Sequence, residues 1–265
     1  MFTTVAFVEK AARAAAAYNE IAAINDAHVT VSGDDIQLPS LNQIVLVCGG
    51  LSTTGDTAKA MRLTTPSMRE KALFQIAPFN WVTGDGVAEP LDPTRLVDMR
   101  DNPMVLVPRE KLNAQESGIK LVTNASWAVV MLADGPIVPV KGPMFTVRAV
   151  GLSAAVVDAW ASSALTFDED LPAGRYQIVG FRPVSPNIVA ARLVFVGGGW
   201  RPGAIGCDHA SDVHSDIFRY GKFGVFGEFE DLEPPTVEIL ALVADAAATQ
   251  EYWFDLIQIR KGPGA

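Results

Sequence analysis

A chain of 265 residues can form one large domain or two of roughly 130, and 49% apolar against 19% charged residues leaves ample material for a core. A formal net charge of −9 with no Lys/Arg cluster lacks the basic footprint that nucleic-acid binding or attraction to an anionic membrane requires. The 17 prolines and 22 glycines are many for a helical protein and ordinary for short strands joined by tight turns.

The first predicted element is a helix. Phe7, Ala11, Ala14, Tyr18 and Ile21 follow helical spacing, Glu9, Lys10, Arg13 and Glu20 lie mainly off that face, and alanine fills the rest. Asn25-Asp26 ends it. Residues 1–27 therefore read as a helical arm, tucked against its own domain or docked on a neighbouring subunit, whose removal (residues 1–25) leaves the rest folded. Glu9, Lys10 and Arg13 also interrupt what would be the apolar region of a signal peptide, and no run reaches the length of a membrane span. The expectation is a soluble protein made inside the cell. Cys48, in an apolar run, and Cys207, in a polar loop, then read as free thiols.

Beyond the arm the pattern turns to strands. His28–Val31, Gln43–Val47, Met104–Val107, Trp127–Leu132 and Phe145–Val150 are β-rich runs bounded by Gly, Pro, Asp or Asn. Tyr176–Phe181, Ile188–Val196, Val237–Val243 and Tyr252–Ile259 continue the series. Only Ser67–Leu73 and Ala154–Trp160 suggest short helices, so a Rossmann or TIM-barrel arrangement is disfavoured. The prediction is a mostly β protein of two fused antiparallel jelly-roll or β-sandwich barrels. Residues 28–150 form the first, 151–164 a linker with a short helix, and 165–265 the second.

The two halves echo each other. Asp35-Ile36-Gln37-Leu38-Pro39 leads through a short turn into Gln43-Ile44-Val45, and Asp170-Leu171-Pro172 leads likewise into Gln177-Ile178-Val179, about half the chain later. Weaker echoes follow, Trp81 before Gly84-Asp85 against Trp200 before Gly206-Cys207-Asp208, then Trp127 against Trp253. Self-similarity at fixed spacing signals repeated architecture.

One segment breaks every simple period. Tyr220, Phe223, Phe226 and Phe229 recur every third residue, the first three each followed by glycine. Glycines let a strand bend so that successive rings turn to a core. The functional alternative, a stacking platform for bases or sugars, is opposed by Glu228, Glu230 and Asp231.

Three constellations bear on chemistry. Cys207, Asp208, His209, Asp212, His214 and Asp216 gather metal-ligand types, including two of the chain's three histidines, but match no compact metal spacing and read as a polar loop. Gly151-Leu152-Ser153 after a strand is one residue away from a nucleophile elbow, and without a surrounding α/β sheet Ser153 reads as a helix cap. The acidic turns Gly33-Asp34-Asp35 and Phe167-Asp168-Glu169-Asp170 suit calcium but ordinarily only start a turn. No catalytic, cofactor-binding or metal residue is assigned, and no enzyme activity or cofactor is expected.

Two fused β-barrels in one acidic chain, each entered through an Asp…Leu-Pro corner, resemble the double jelly-roll major capsid proteins of icosahedral DNA viruses, especially small bacteriophage members. The resemblance implies a homotrimeric, pseudo-hexagonal capsomer and a shell lattice, with minor shell proteins as further partners. It implies a place in the virion after synthesis in the host cytoplasm, and no direct contact with nucleic acid or membrane insertion. Other classes compatible with the residues are a β-sandwich carbohydrate-binding module, a cupin-like metal enzyme using His209 and His214, and a cellular shell protein.

Overall fold

The computed structural model describes residues 1–12, 18–26, 28–37, 43–51, 60–68, 74–76, 79–80, 96–117, 126–155, 159–184, 188–205, 215–241 and 245–262. The chain divides into two compact units. The first is Val5–Gly135; the second is Met1–Thr4 together with Pro136–Ala265.

In chain order the strands of the first part are β1 (Phe2–Glu9), β2 (Tyr18–Ile21), β3 (Thr30–Ser32), β4 (Asp35–Gln37), β5 (Gln43–Leu51) and β6 (Ala60–Thr64). They continue with β7 (Phe74–Ile76), β8 (Phe79–Asn80), β9 (Leu96–Asp98), β10 (Met104–Val105), β11 (Lys111–Ser117) and β12 (Ser126–Ala133). One sheet runs β1-β12-β5-β10, with β8 and β9 also on β5. The other runs β3-β4-β11-β6-β7, with β2 also on β11. At the centre β12 and β5 pair antiparallel, Val130 opposite Val47 and Val129 opposite Cys48, and every side chain of β12 is buried. Such unbroken apolar runs suit strands covered on both faces.

The second part contributes β13 (Phe145–Ala155), β14 (Ala161–Ser163), β15 (Thr166–Phe167), β16 (Gly174–Val184) and β17 (Ile188–Val194). It ends with β18 (Gly203–Ile205), β19 (Gly227–Glu230), β20 (Thr236–Ala241) and β21 (Asp245–Lys261). Its sheets run β15-β13-β21-β16-β19 and β14-β20-β17-β18, all antiparallel. The core is aromatic. Phe181 stacks on Tyr252 and Phe254 with ring centroids 6.1 and 5.3 Å apart, and Tyr176 stacks on Phe229 at 5.7 Å. The Tyr176 hydroxyl donates to the Pro172 carbonyl, tying the Leu171-Pro172 corner to the strand it introduces.

The protein is thus mostly strand, in curled antiparallel sheets that fit a β-sandwich. Gln43-Ile44-Val45 opens β5, next to the last strand of β1-β12-β5-β10, and Gln177-Ile178-Val179 lies in β16, next to the last strand of β15-β13-β21-β16-β19. The preceding Leu38-Pro39 corner and Trp81 with Gly84-Asp85 fall outside the described residues.

The expected N-terminal helix is corrected. Among the described residues there is no α-helix, only 3-10 turns at Pro66–Met68 and Ser215–Phe218. Phe7 lies in β1 and Tyr18 and Ile21 in β2, joined by a Phe7–Ala23 bridge and by Val8 N–H donating to the Ala22 carbonyl at 2.9 Å. Every side chain from Phe2 to Val8 is buried. That burial and pairing override the helix propensity of the neighbouring alanines. Deleting residues 1–25 therefore removes two strands, not a dispensable arm. Residues 13–17 of the predicted helix lie outside the described residues, as do 69–73 and 156–158 of the shorter ones.

The division between units at Gly135-Pro136 also differs from the expected linker at 151–164. Gly151 reads as a turn in sequence, yet it sits inside β13 opposite Gln250. A Cβ there would meet Ser163 Oγ at 2.6 Å and the Tyr252 ring at 3.1 Å, so the glycine serves close packing and not chain reversal. Ala154 and Ala155, expected to begin a helix, complete the same strand.

Candidate functional site

The residues singled out for chemistry are described only in part. Cys207, Asp208, His209, Asp212 and His214 lie outside the described residues, and of Asp216 only its place in the Ser215–Phe218 turn is described. Ser153 is inside β13, not at the start of a helix. Among the described residues no group of three or more His, Cys, Asp or Glu side chains is placed to hold a metal ion. The acidic turns serve the fold. Gly33, at φ +64°, and Asp34 make the two-residue loop between β3 and β4, and Asp35 pairs with Lys111 at 3.0 Å. Asp168 shares Arg148 with Glu251, at 2.6 and 2.8 Å.

The period-three aromatic run behaves differently at its two ends. Tyr220 is 49% exposed, whereas Phe223, Phe226 and Phe229 are buried. Only the last of these lies in a strand; Tyr220 to Phe226 is a series of turns with positive φ at Tyr220, Gly221 and Gly224. A Cβ at Gly221 would collide with the Val140 carbonyl, so glycine is required there on two counts.

A buried ion pair anchors this segment. Asp255, in β21, has no solvent exposure. It accepts from Arg219 Nε at 2.6 Å and Nη2 at 2.7 Å, from Thr146 Oγ1 at 2.6 Å and from the Tyr220 N–H at 2.8 Å. Burial pushes its carboxyl pKa up, but the bonds from Arg219, Thr146 and the Tyr220 N–H together outweigh it and hold the group below the ordinary aspartate range. Gly180 faces the carboxylate, and a Cβ there would strike it. Gly221 N–H to the Val179 carbonyl at 2.8 Å and Phe226 N–H to the Ile178 carbonyl at 2.9 Å bind the segment's two ends to β16.

The chain's first residues complete the second unit. Phe2 meets Phe223 and Phe226 edge-on at 5.1 and 5.3 Å. Thr4 N–H donates to the Arg201 carbonyl at 2.9 Å, and buried Arg192 donates to the Thr4 carbonyl at 3.0 Å while pairing with Glu238 at 2.6 Å. The Arg192 guanidinium also lies over the Trp160 ring, 4.0 Å from its centroid.

These elements frame a half-open apolar cleft of about 580 Å³. Phe2, Phe223 and Phe226 form one side, and Val138, Phe195 and Trp200 others. A smaller hollow of about 240 Å³ shares Phe195 and Glu228 with it and adds Arg175, Val196, Glu230 and Glu233. Arg175 pairs with Glu228 at 2.7 Å and Arg260 with Glu230 at 2.6 Å. Glu233 has no ion pair among the described residues, which leaves the rim net acidic. The large apolar side chains Met1, Val138, Val196 and Leu232 stand exposed at or beside these hollows, Leu232 being 88% exposed.

The geometry offers an apolar surface with an acidic edge and no nucleophile, acid–base pair or phosphate cradle among its described residues. Sequence reading missed Arg219 with Asp255 and the role of Met1–Thr4, because nothing local marks a pairing across so many residues. Comparison of the sequence with protein-family models and with curated proteins finds no match.

Proposed function

We propose that this chain is a structural, self-assembling shell subunit, a double jelly roll of the kind found in viral major capsid proteins, acting as a homotrimeric, pseudo-hexagonal capsomer. Strand order carries the reading. Numbering the eight principal strands of each half along the chain, one sheet runs first, eighth, third, sixth: β1-β12-β5-β10 and β13-β21-β16-β19. The facing order is second, seventh, fourth, fifth: β2-β11-β6-β7 and β14-β20-β17-β18. That order supports reading each half as a jelly roll of two Greek keys. The β3–β4 hairpin, β8, β9 and β15 are additions to that frame.

Two copies of one topology in a single chain supply six similar barrels from three subunits, the stoichiometry a six-sided building block needs. The exposed apolar side chains suit a protein whose work is contact with its neighbours. The test is size and shape. Purified protein should elute at three times its 28.3 kDa mass or larger and show six-sided particles by electron microscopy. A chain that stays monomeric at high concentration overturns the reading.

A further inference from the structure

In the first unit the exposed large apolar side chains among the described residues are Val105 and Val107, at 68% and 55%. They flank the end of β10, the terminal strand of its sheet, which pairs with β5 through Met104 and Val105. An edge strand carrying exposed valines is an invitation to a partner. Next to them the chain makes a tight turn, Val107-Pro108-Arg109-Glu110. The Glu110 N–H donates to the Val107 carbonyl at 3.2 Å, and the Glu110 carboxylate accepts from the Val107 N–H at 3.2 Å and from Ser67 Oγ at 2.9 Å.

Proline at the second position and positive φ at the third define a type II turn, where glycine or asparagine is the favoured third residue. Here the third residue is Arg109, at φ +64°. Its side chain is exposed and has no ion pair among the described residues. An arginine held in a glycine conformation at the tip of a locked turn is an outlier that points to use. Neighbouring Lys111 adds a second positive charge, shared with Asp35.

The second unit presents the complement: a hollow edged by Glu228, Glu230 and Glu233 whose apolar lining is Phe195, Phe229 and exposed Val196, with exposed Leu232 next to Glu233 in the chain. Glu233 is the carboxylate without an ion pair there, as Arg109 is the guanidinium without one on the turn. Both surfaces remain exposed in the single chain.

We infer that a second copy of this chain docks its Val105–Arg109 turn on this acidic hollow, with Val105 and Val107 against its Phe195–Val196 side and Arg109 reaching Glu233. The inference rests on the self-assembling reading above and names the surfaces that would join. Unlike surfaces meet, so each copy keeps one turn and one hollow free for the next, the arrangement that closes a ring. Valines supply buried apolar area, and the arginine–carboxylate pair supplies direction and register. The locked turn is pre-organised, which lowers the ordering cost of association.

The experiment is charge reversal read by light scattering and sedimentation at matched concentrations. Arg109→Glu and Glu233→Arg should each raise the dissociation concentration of the oligomer about tenfold or more, and the double reversal should restore it. Arg109→Gly, which suits the positive φ, should keep the fold at unchanged or higher melting temperature and still weaken assembly. Wild-type oligomers indifferent to all these variants overturn this interface and leave self-assembly standing. A wild-type chain that never associates overturns both. An oligosaccharide whose binding is abolished by Trp200→Ala, without effect of the reversals on assembly, puts a sugar at these hollows instead.

Discussion

Replacing Asp255 with asparagine keeps the side-chain volume and removes the charge that Arg219 faces. The carboxylate has no exposure and Arg219 only 5%, so the guanidinium is left in a site from which solvent is nearly excluded. Removing one partner of a buried pair costs about 3–5 kcal/mol. The asparagine oxygen still accepts from one of the four donors around Asp255, which places the expected cost near the lower end, about 3 kcal/mol. For a unit of this size that is a fall of roughly 10 °C in melting temperature. The control is Arg260→Ala. Its pair with Glu230 is as short, 2.6 Å, but the two side chains are 64% and 42% exposed, and such a surface pair is worth about 1 kcal/mol at most. Urea unfolding of both variants, followed by tryptophan fluorescence, makes the comparison. Equal losses in the two variants would refute the claim that burial, and not distance, sets the worth of the Asp255 pair.

Gly180→Ala should cost about 2 kcal/mol by overpacking against Asp255, and combining it with Asp255→Ala should cost clearly less than the two single losses together, as denaturant midpoints will register. Phe2→Ala should destabilise by about 3 kcal/mol, measured the same way, since Phe2 is 3% exposed between Phe223 and Phe226. Glu110 is pushed up by burial but held below the ordinary glutamate range by its bonds from Ser67, Val107 and Thr65. A carboxyl whose folded pKa is depressed contributes stability that is present above its unfolded pKa and lost as pH falls through the folded one. Acid unfolding should therefore be blunted in Glu110→Gln, which starts about 1 kcal/mol less stable at neutral pH and converges with wild type in acid.

Strand content was legible because runs such as Gln43–Val47 and Tyr176–Phe181 join β-branched and aromatic residues between turn formers. The two Gln-Ile-Val copies fall on β5 and β16, each next to the last strand in its sheet's order. The N-terminal strand was not legible. Phe7, Tyr18 and Ile21 satisfy helical spacing, while the pairing of β1 with β12 depends on residues more than a hundred positions away. The same limit hid the Arg219–Asp255 pair, for which the sequence shows two distant charges and nothing that marks them as partners. Gly151 misled for a different reason: glycine marks a turn and a close approach equally well, and only the facing Ser163 and Tyr252 decide which. At the candidate site, the burial of Phe223 and Phe226 could be read from their glycines, but the cleft they border could not.

Met1–Thr4 belongs to the unit made by Pro136–Ala265, and this has a consequence for synthesis. Translation produces these four residues before any of their partners, so Phe2 emerges long before the Phe223 and Phe226 rings that will enclose it. The Val5–Gly135 unit follows them in the chain and can begin folding before the rest of the second unit has been made. The second unit closes only when its chain has been made and the earliest residues are taken into it. The order of folding thus departs from the order of translation: Met1–Thr4, made ahead of the first unit, find their place only with the second.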